Sequence, residues 1–222
     1  MSGYAVRPPR VRREKPRVSA DIGKILALEP DLVLAFSDLQ APIAADLARA
    51  GLAVHLFNQR SIAGILAMIR TVGALVDAAA KADALALRLE ARLAEVAGTV
   101  RRNRPRVYFE EWDDPLIAGI GWVSELIELA GGVDVFASLR GMAAAKDRIV
   151  TCGMVAEAAP EVILASWCGK KVVPARIAAR PGWAAIPAVR DGRIVEIKSP
   201  LILQPGPAAL TDGLDALRAA LL

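Results

Sequence analysis

Two stretches near opposite ends of the chain follow one plan. Residues 25–36 read ILALEPDLVLAF and residues 155–166 read VAEAAPEVILAS. In each, a short helical stretch meets a proline (Pro30, Pro160), then an acid (Asp31, Glu161), then an apolar run. Proline has no amide hydrogen to donate and its ring crowds the preceding turn, so it ends the helix and the next residues become extended. The runs LVLAF and VILAS are apolar on both faces, as expected of parallel strands covered by helices on both sides. The repeat points to two α/β units of similar build, one toward each end.

Between them, residues 61–100 read SIAGILAMIRTVGALVDAAAKADALALRLEARLAEVAGTV, a proline-free stretch rich in Ala and Leu with charges at helical spacing. A break at Gly73 or at Val76-Asp77 leaves a second helix over residues 77–102, with Asp77 as its N-cap. At ~1.5 Å per residue that helix is about 39 Å long, enough to span two lobes. The first unit reads as helix 21–28, strand 32–36, helix 41–50 and strand 53–57. The second reads as strand 106–112, helices 122–130 and 151–159, strand 161–166, a short helix near 174–180, strand 193–197 and a closing helix 207–221. Gly131-Gly132 ends one helix, and Asp191-Gly192 turns into a strand. The expected architecture is two Rossmann-like α/β lobes joined by a single long backbone helix. Their bounds are 1–75 for the N-terminal lobe, 76–104 for the bridging helix and 105–222 for the C-terminal lobe.

Composition removes several functions. The 222 residues are 55% hydrophobic, but no run approaches the ~20 uninterrupted apolar residues that span a bilayer. The net charge of +4 is concentrated at Arg7, Arg10, Arg12, Arg13, Lys15 and Arg17, opposed only by Glu14. Such a cluster can bind nucleic acid or anionic lipid. Without interleaved aromatic residues it reads instead as a solvated loop held open by Pro8, Pro9 and Pro16, and no nucleic-acid partner is expected. The two cysteines, Cys152 and Cys168, lie apart, and the one histidine, His55, alternates with apolar neighbours in AVHLF as a packed strand residue does. No zinc spacing exists, and a nucleophilic triad would have to use that histidine. The opening MSGYAVRPPR has no apolar h-region of a signal peptide, so a genuine start here would keep the protein in the cytoplasm.

Ligands of open parallel sheets meet the carboxyl ends of the strands. After LVLAF, which ends at Phe36, come Ser37, Asp38 and Gln40; after AVHLF, which ends at Phe57, come Asn58, Gln59 and Arg60. RVYF is followed by Glu110, Glu111, Trp112 and Asp113, and VILAS by Trp167, Cys168, Lys170 and Lys171. RIVEI is followed by Lys198, Ser199 and then Gln204. Two lobes with facing strand ends would gather these around one cleft, suited to a large, flat, partly apolar ligand with polar substituents.

The stretch YFEEWDDPLIAGIGWV, residues 108–123, holds Glu110, Glu111, Asp113 and Asp114. A general acid/base pair would need one carboxyl raised by burial beside Trp112, and would make the protein a hydrolase using Glu110 and Glu111. A metal site would need an oxygen cage that Pro115 and LIAGIG do not complete. Strand alternation puts Glu110 and Glu111 on opposite faces, and no second catalytic group converges on them. A rim of hydrogen-bonding groups around a ligand is therefore preferred, with no catalytic residue and no metal. Ala118, Gly119 and Gly121 then permit close approach to the ligand ahead of the helix carrying Trp122. Trp183 reads as packing, whereas Trp167, followed by Cys-Gly-Lys-Lys, is hard to bury completely. Cys168 could ligate cobalt as a thiolate, but a small strand-end residue is the plainer reading.

The stretches LALEPDLVLAFSDLQ, FNQRSI, RVYFEEWDDPLIAGIGWVSELIELAGG, SWCGKK and EIKSPLILQPGPAALTDGLDAL together resemble the cobalamin-binding family of periplasmic substrate-binding proteins, over essentially the whole chain. That resemblance implies a binding component of an ABC importer rather than an enzyme. It would be monomeric and extracytoplasmic, would carry no prosthetic group, and would hold a corrinoid (cobalamin or cobinamide) between its lobes for delivery to a membrane permease. Relatives that bind ferric siderophores or haem share the architecture and form the alternative, which Arg60, Lys170, Lys171 and Lys198 keep open. By position, Phe36 and Trp112 match family aromatics, Arg7 falls where a tyrosine contacts ligand, and Leu56 or Phe57 lies near a further aromatic. The resemblance gives the corrin amides Asn58, Gln59 and Gln204 as partners.

Two departures are expected to matter. The family's opening strand, helix and strand are not found before SGYAVRPP, so the first lobe is expected to be incomplete, through truncation or a late start, with a genuinely minimal lobe as the alternative. The exposed glutamates with which the family docks on its permease correspond to Ala41 and Gly153 here, leaving Asp38 or Glu157 as substitutes. A continuous bridging rod is also expected to allow little hinge motion.

Overall fold

In a computed structural model of the protein, residues 20–99 and 103–222 are described. The chain forms two compact units, 1–59 and 60–222. Where the sequence sets a lobe at 1–75 and a bridge at 76–104, both long helices fall within the second unit.

In the first unit α1 (Ile22–Leu26) is N-capped by Asp21, whose carboxylate accepts from the Lys24 amide at 3.1 Å. Strand β1 (Val33–Phe36), helix α2 (Ala41–Arg49) and strand β2 (Val54–Phe57) form a βαβ unit, with Val33 beside Val54 and Phe36 beside Phe57 in parallel register. Helix α2 buries Leu47. Complete coverage of β1 on both faces does not hold, since Leu34 is exposed. Among the described residues this sheet has two strands, crossed by α2.

The second unit begins with α3 (Ile62–Leu75) and α4 (Ala79–Ala97). The Ser61 hydroxyl caps α3 by accepting from the Gly64 amide at 3.0 Å. The break falls at Val76–Ala78, but Asp77 is not the N-cap. It adopts the left-handed conformation (φ 54°), which aspartate tolerates better than most residues, and Ala78 takes the cap position. Helix α4 ends at Ala97 before Gly98, short of the expected residue 102. Arg70 on α3 holds α4 through Asp83 at 2.9 Å and Glu90 at 2.9 Å. Closer in, the two helices touch at Gly73, where a Cβ would lie 2.1 Å from that of Ala82.

Strands β3 (Arg106–Asp113), β4 (Leu116–Ala118), β5 (Val133–Asp134), β6 (Val162–Ala165) and β7 (Ile194–Glu196) form one sheet in the order β4-β3-β6-β7, with β5 on β3. Strands β3, β5, β6 and β7 are parallel and β4 is antiparallel. All four residues of β6 are buried, as a doubly covered strand requires. Helices α5 (Gly121–Leu129), α6 (Cys152–Ala158), α7 (Pro174–Ala178), α8 (Pro187–Arg190), α9 (Ser199–Ile202) and α10 (Leu214–Ala220) complete the unit, α10 following a π-helical segment at Ala209–Gly213. The amide of Gly132 donates to the Ile127 carbonyl and Gly131 is left-handed, the double-glycine stop expected after α5. The repeat that organises the sequence is also conformational, since Glu29 (φ 47°) and Ala159 (φ 42°), each preceding its proline, are both left-handed.

Candidate ligand-binding site

Because β3, β6 and β7 run in parallel, their carboxyl ends emerge on one edge of the second unit's sheet, as anticipated. After β6, Trp167–Lys170 forms a turn in which the Lys170 amide donates to the Trp167 carbonyl at 3.1 Å and Gly169 supplies the left-handed residue (φ 68°). The turn directs Lys170 back over β3. Its ammonium lies 2.6 Å from both carboxylate oxygens of Asp113 and 5.1 Å from the ring centres of both Trp112 and Trp167, within cation–π range. A cavity of about 360 Å³ opens beside it, walled by Trp167, Gly169, Lys170, Lys171 and the segment from Glu196 to Pro200. Lys198 pairs with Glu196 at 2.6 Å and holds that carboxyl below the ordinary glutamate range.

Several expected rim residues serve the interior instead. Glu110 is wholly buried, accepting from the Trp167 indole at 3.0 Å and from the Arg180 guanidinium through both oxygens. The charge is tolerated because a cation and an indole N–H satisfy it, so it is not presented to a ligand. The same bonds bury Trp167, whose ring was expected to resist burial. Glu111 forms a bidentate pair with buried Arg148 at 2.6 and 3.1 Å, while also accepting from the Ile120 amide at 2.9 Å. With each glutamate committed to its own arginine, the two cannot work as an acid/base pair. Trp122 is buried and donates to the Ile202 carbonyl at 2.8 Å. Nor does Gly121 serve ligand approach. A Cβ there would meet the Arg60 carbonyl oxygen at 2.3 Å and that of Arg140 at 2.9 Å, so the glycine lets backbone pass backbone.

Trp112 is half-buried at the tip of β3, its indole donating to the Asp114 carbonyl at 3.0 Å. Gln204 is exposed beyond α9. Arg60 reaches the Ala143 carbonyl at 3.4 Å. In the first unit the strand-end polar residues bind one another's loops. The Gln40 side chain accepts from the Phe36 amide at 2.9 Å, Asn58 from the Asp38 amide at 3.1 Å, and the Ser37 hydroxyl from the Leu39 amide at 3.2 Å. Phe57 packs against His55 with ring centres 4.2 Å apart, and Gln59 is half-buried. Arg7 lies outside the described residues.

Arg148 and Arg180 were missed by sequence reasoning, although a buried acid demands a cation, because their partners lie 37 and 70 residues away. Glu196 was missed as well, although a strand-terminal acid two residues before Lys198 was the available signal.

A strand-end cavity in a parallel sheet, lined by charged side chains and the Trp167 ring, is a binding arrangement. Residues 8–201 match the family described as periplasmic binding protein. The chain belongs to that family. Its members are binding proteins, the class expected here in place of an enzyme. Among curated relatives, the chain is 30% identical over 123 residues to a cobalamin-binding protein of Halobacterium salinarum, a match spanning 54% of this chain and 33% of that one. It is 25% identical over 211 residues to the uncharacterized ABC transporter substrate-binding lipoprotein YvrC of Bacillus subtilis, spanning 90% of this chain and 64% of that protein. The matches thus span about a third and just under two thirds of these relatives' lengths. Among solved structures, the periplasmic heme-binding protein BhuT in complex with two hemes superposes with a TM-score of 0.74 at 27% identity, covering 93% of this chain and 81% of that one. Among the described residues no helix is long and apolar enough to cross a membrane.

Proposed function

We propose that this family member is the substrate-binding component of an ABC importer and that it captures a corrinoid, cobalamin or cobinamide, outside the cytoplasm for delivery to a membrane permease. The observation that carries this reading is the half-buried Trp112 ring at the tip of β3, with the Lys170 ammonium beside it and a cavity of about 360 Å³ adjoining. An indole face supplies the apolar contact that a macrocycle needs, and the charged groups around it match polar substituents. A cavity of this size takes one edge or side group, so further contacts within the second unit are assigned to other strand-end residues, the exposed Gln204 among them. The relative named for cobalamin binding supports the corrinoid. Permease docking is assigned to exposed Asp38 and Glu157, in place of glutamates at positions 41 and 153.

Haem is the second reading, favoured by likeness to the haem-bound relative over 93% of the chain and by the lysines around the cavity, with a ferric siderophore behind it. Titrating the protein with cobalamin, cobinamide, haem and a ferric hydroxamate siderophore while following tryptophan fluorescence separates them. Saturable quenching by the corrinoids alone supports the first reading, and saturation by haem alone replaces it with the second. No response to any of the four overturns both.

A further inference from the structure

Three ammonium groups and one carboxylate line the strand-end cavity: Lys170, Lys171, Lys198 and Glu196. Two of the three cations are already compensated. Lys170 is held 2.6 Å from both oxygens of Asp113, and Lys198 is 2.6 Å from Glu196. Glu196 is also fixed from behind, accepting from the Val172 amide at 3.4 Å, and it stays ionised with its carboxyl below the ordinary range. Three positive charges against two negative ones leave one in excess. It falls on Lys171, which makes no ion pair of its own among the described residues and feels Glu196 only as the weaker partner behind Lys198.

The backbone explains why this lysine stands apart. The Gly169 turn commits Lys170 to β3, while Val172, the next residue but one, is buried and anchored on Glu196. Lys171 lies between these two fixed points, exposed, on the cavity wall. An unpaired ammonium beside two neutralised pairs attracts one anionic oxygen group and gives little reason for a second.

Resting on the proposed tetrapyrrole-binding role, we infer that Lys171 makes this cavity an oxyanion subsite, which takes one phosphodiester or carboxylate carried on the ligand's edge. Trp112 and the other strand-end groups bind the ring whatever its charge. Lys171 then determines which members of the ligand class bind best, preferring those bearing the anion.

The test compares matched ligands on the full chain. Cobalamin carries a phosphodiester that cobinamide lacks, and haem carries carboxylates that its dimethyl ester lacks. Calorimetric titration of the wild type and of Lys171→Gln with all four is expected to show the variant losing about three- to tenfold in affinity for the member of the bound pair that carries the phosphodiester or carboxylate. The member without that group should change by less than about twofold, the scale of a lost peripheral contact. Lys171→Arg should keep the preference, and raising salt should erode it in the wild type but not in Lys171→Gln. The cobalamin pair reports a phosphodiester and the haem pair a carboxylate. Equal losses on both members of a pair, or no loss on either, overturn the subsite and leave the importer reading standing. Wild-type protein that binds none of the four overturns that reading first, and the subsite with it.

Discussion

Arg180 lies 70 residues beyond Glu110, yet its guanidinium meets that carboxylate in the interior, with Nη2 2.9 Å from Oε1. Glu110 has no exposure to solvent, and the Trp167 indole also donates to it. Removing the cation while keeping the carboxylate is therefore worse than removing both. Arg180→Met should destabilise the second unit by about 3–5 kcal/mol, the range for orphaning one partner of a buried pair. Combining it with Glu110→Gln should recover at least half of that loss in urea denaturation. Equal stability of the single and double variants would show that the carboxylate is not the strained group.

Asp134 offers a pH-dependent counterpart. Burial raises its carboxyl above the ordinary aspartate value of 3.8, although the Ser124 hydroxyl and the Phe136 amide both donate to it. A folded-state pKa above the unfolded one means that the native state binds the proton more tightly. The ionised carboxylate thus costs stability at neutral pH, and that cost is relieved as pH falls through the raised value toward 3.8. Wild type should accordingly gain stability relative to Asp134→Asn between pH 7 and pH 4, on the scale of a 1.4 kcal/mol change per pKa unit. Denaturant titrations of both proteins across that range would check the sign, and parallel curves would refute it.

The α3–α4 pair depends on a missing methyl group. A Cβ on Gly73 would lie 2.1 Å from the Ala82 Cβ, and it would also stand 3.2 Å from the Ala78 carbonyl. Helix propensity favours Gly73→Ala by about 1 kcal/mol. Overpacking opposes it by about 1–3 kcal/mol, so a net loss is expected. Adding Ala82→Gly should restore part of the loss by vacating the clash. Thermal melts of both variants decide it, and a stabilised single variant would mean that the helices separate without penalty.

How far the sequence foretells this structure depends on whether a residue's partner is local. The proline-acid-apolar repeat placed β1 and β6 within a residue or two, because a helix stop and a strand entry are written in adjacent residues. The double glycine at 131–132 and the turn at 191–192 were legible for the same reason. Alternation along β3 separated Glu110 from Glu111, and each does bind its own arginine, but the pattern could not name Arg180 and Arg148 as the partners. Those partners are fixed only when distant segments pack, so residues read as a ligand rim proved to be interior ion pairs. Strand β4, β5 and the short α8 and α9 carry too few residues for a periodic signal. Lys170 was legible as a strand-end cation, whereas its place beside two indoles depends on the Gly169 turn.

The same distinction sorts the tryptophans. Trp112 is half-buried against the core, with its indole N–H on the Asp114 carbonyl and Lys170 over its ring, while Trp167 is buried and donates to Glu110. Trp112→Ala should therefore act mainly on binding, lowering affinity for the bound tetrapyrrole by about tenfold or more, the scale of a lost aromatic anchor. Its effect on stability should be small beside that of Trp167→Ala, which opens a core cavity and strips Glu110 of a donor, for a loss of about 3–5 kcal/mol. Titration and thermal denaturation of each variant give the two readouts independently. If Trp112→Ala bound ligand as tightly as wild type, the tip of β3 would have no part in the site, and the ring contact would have to come from other strand-end residues.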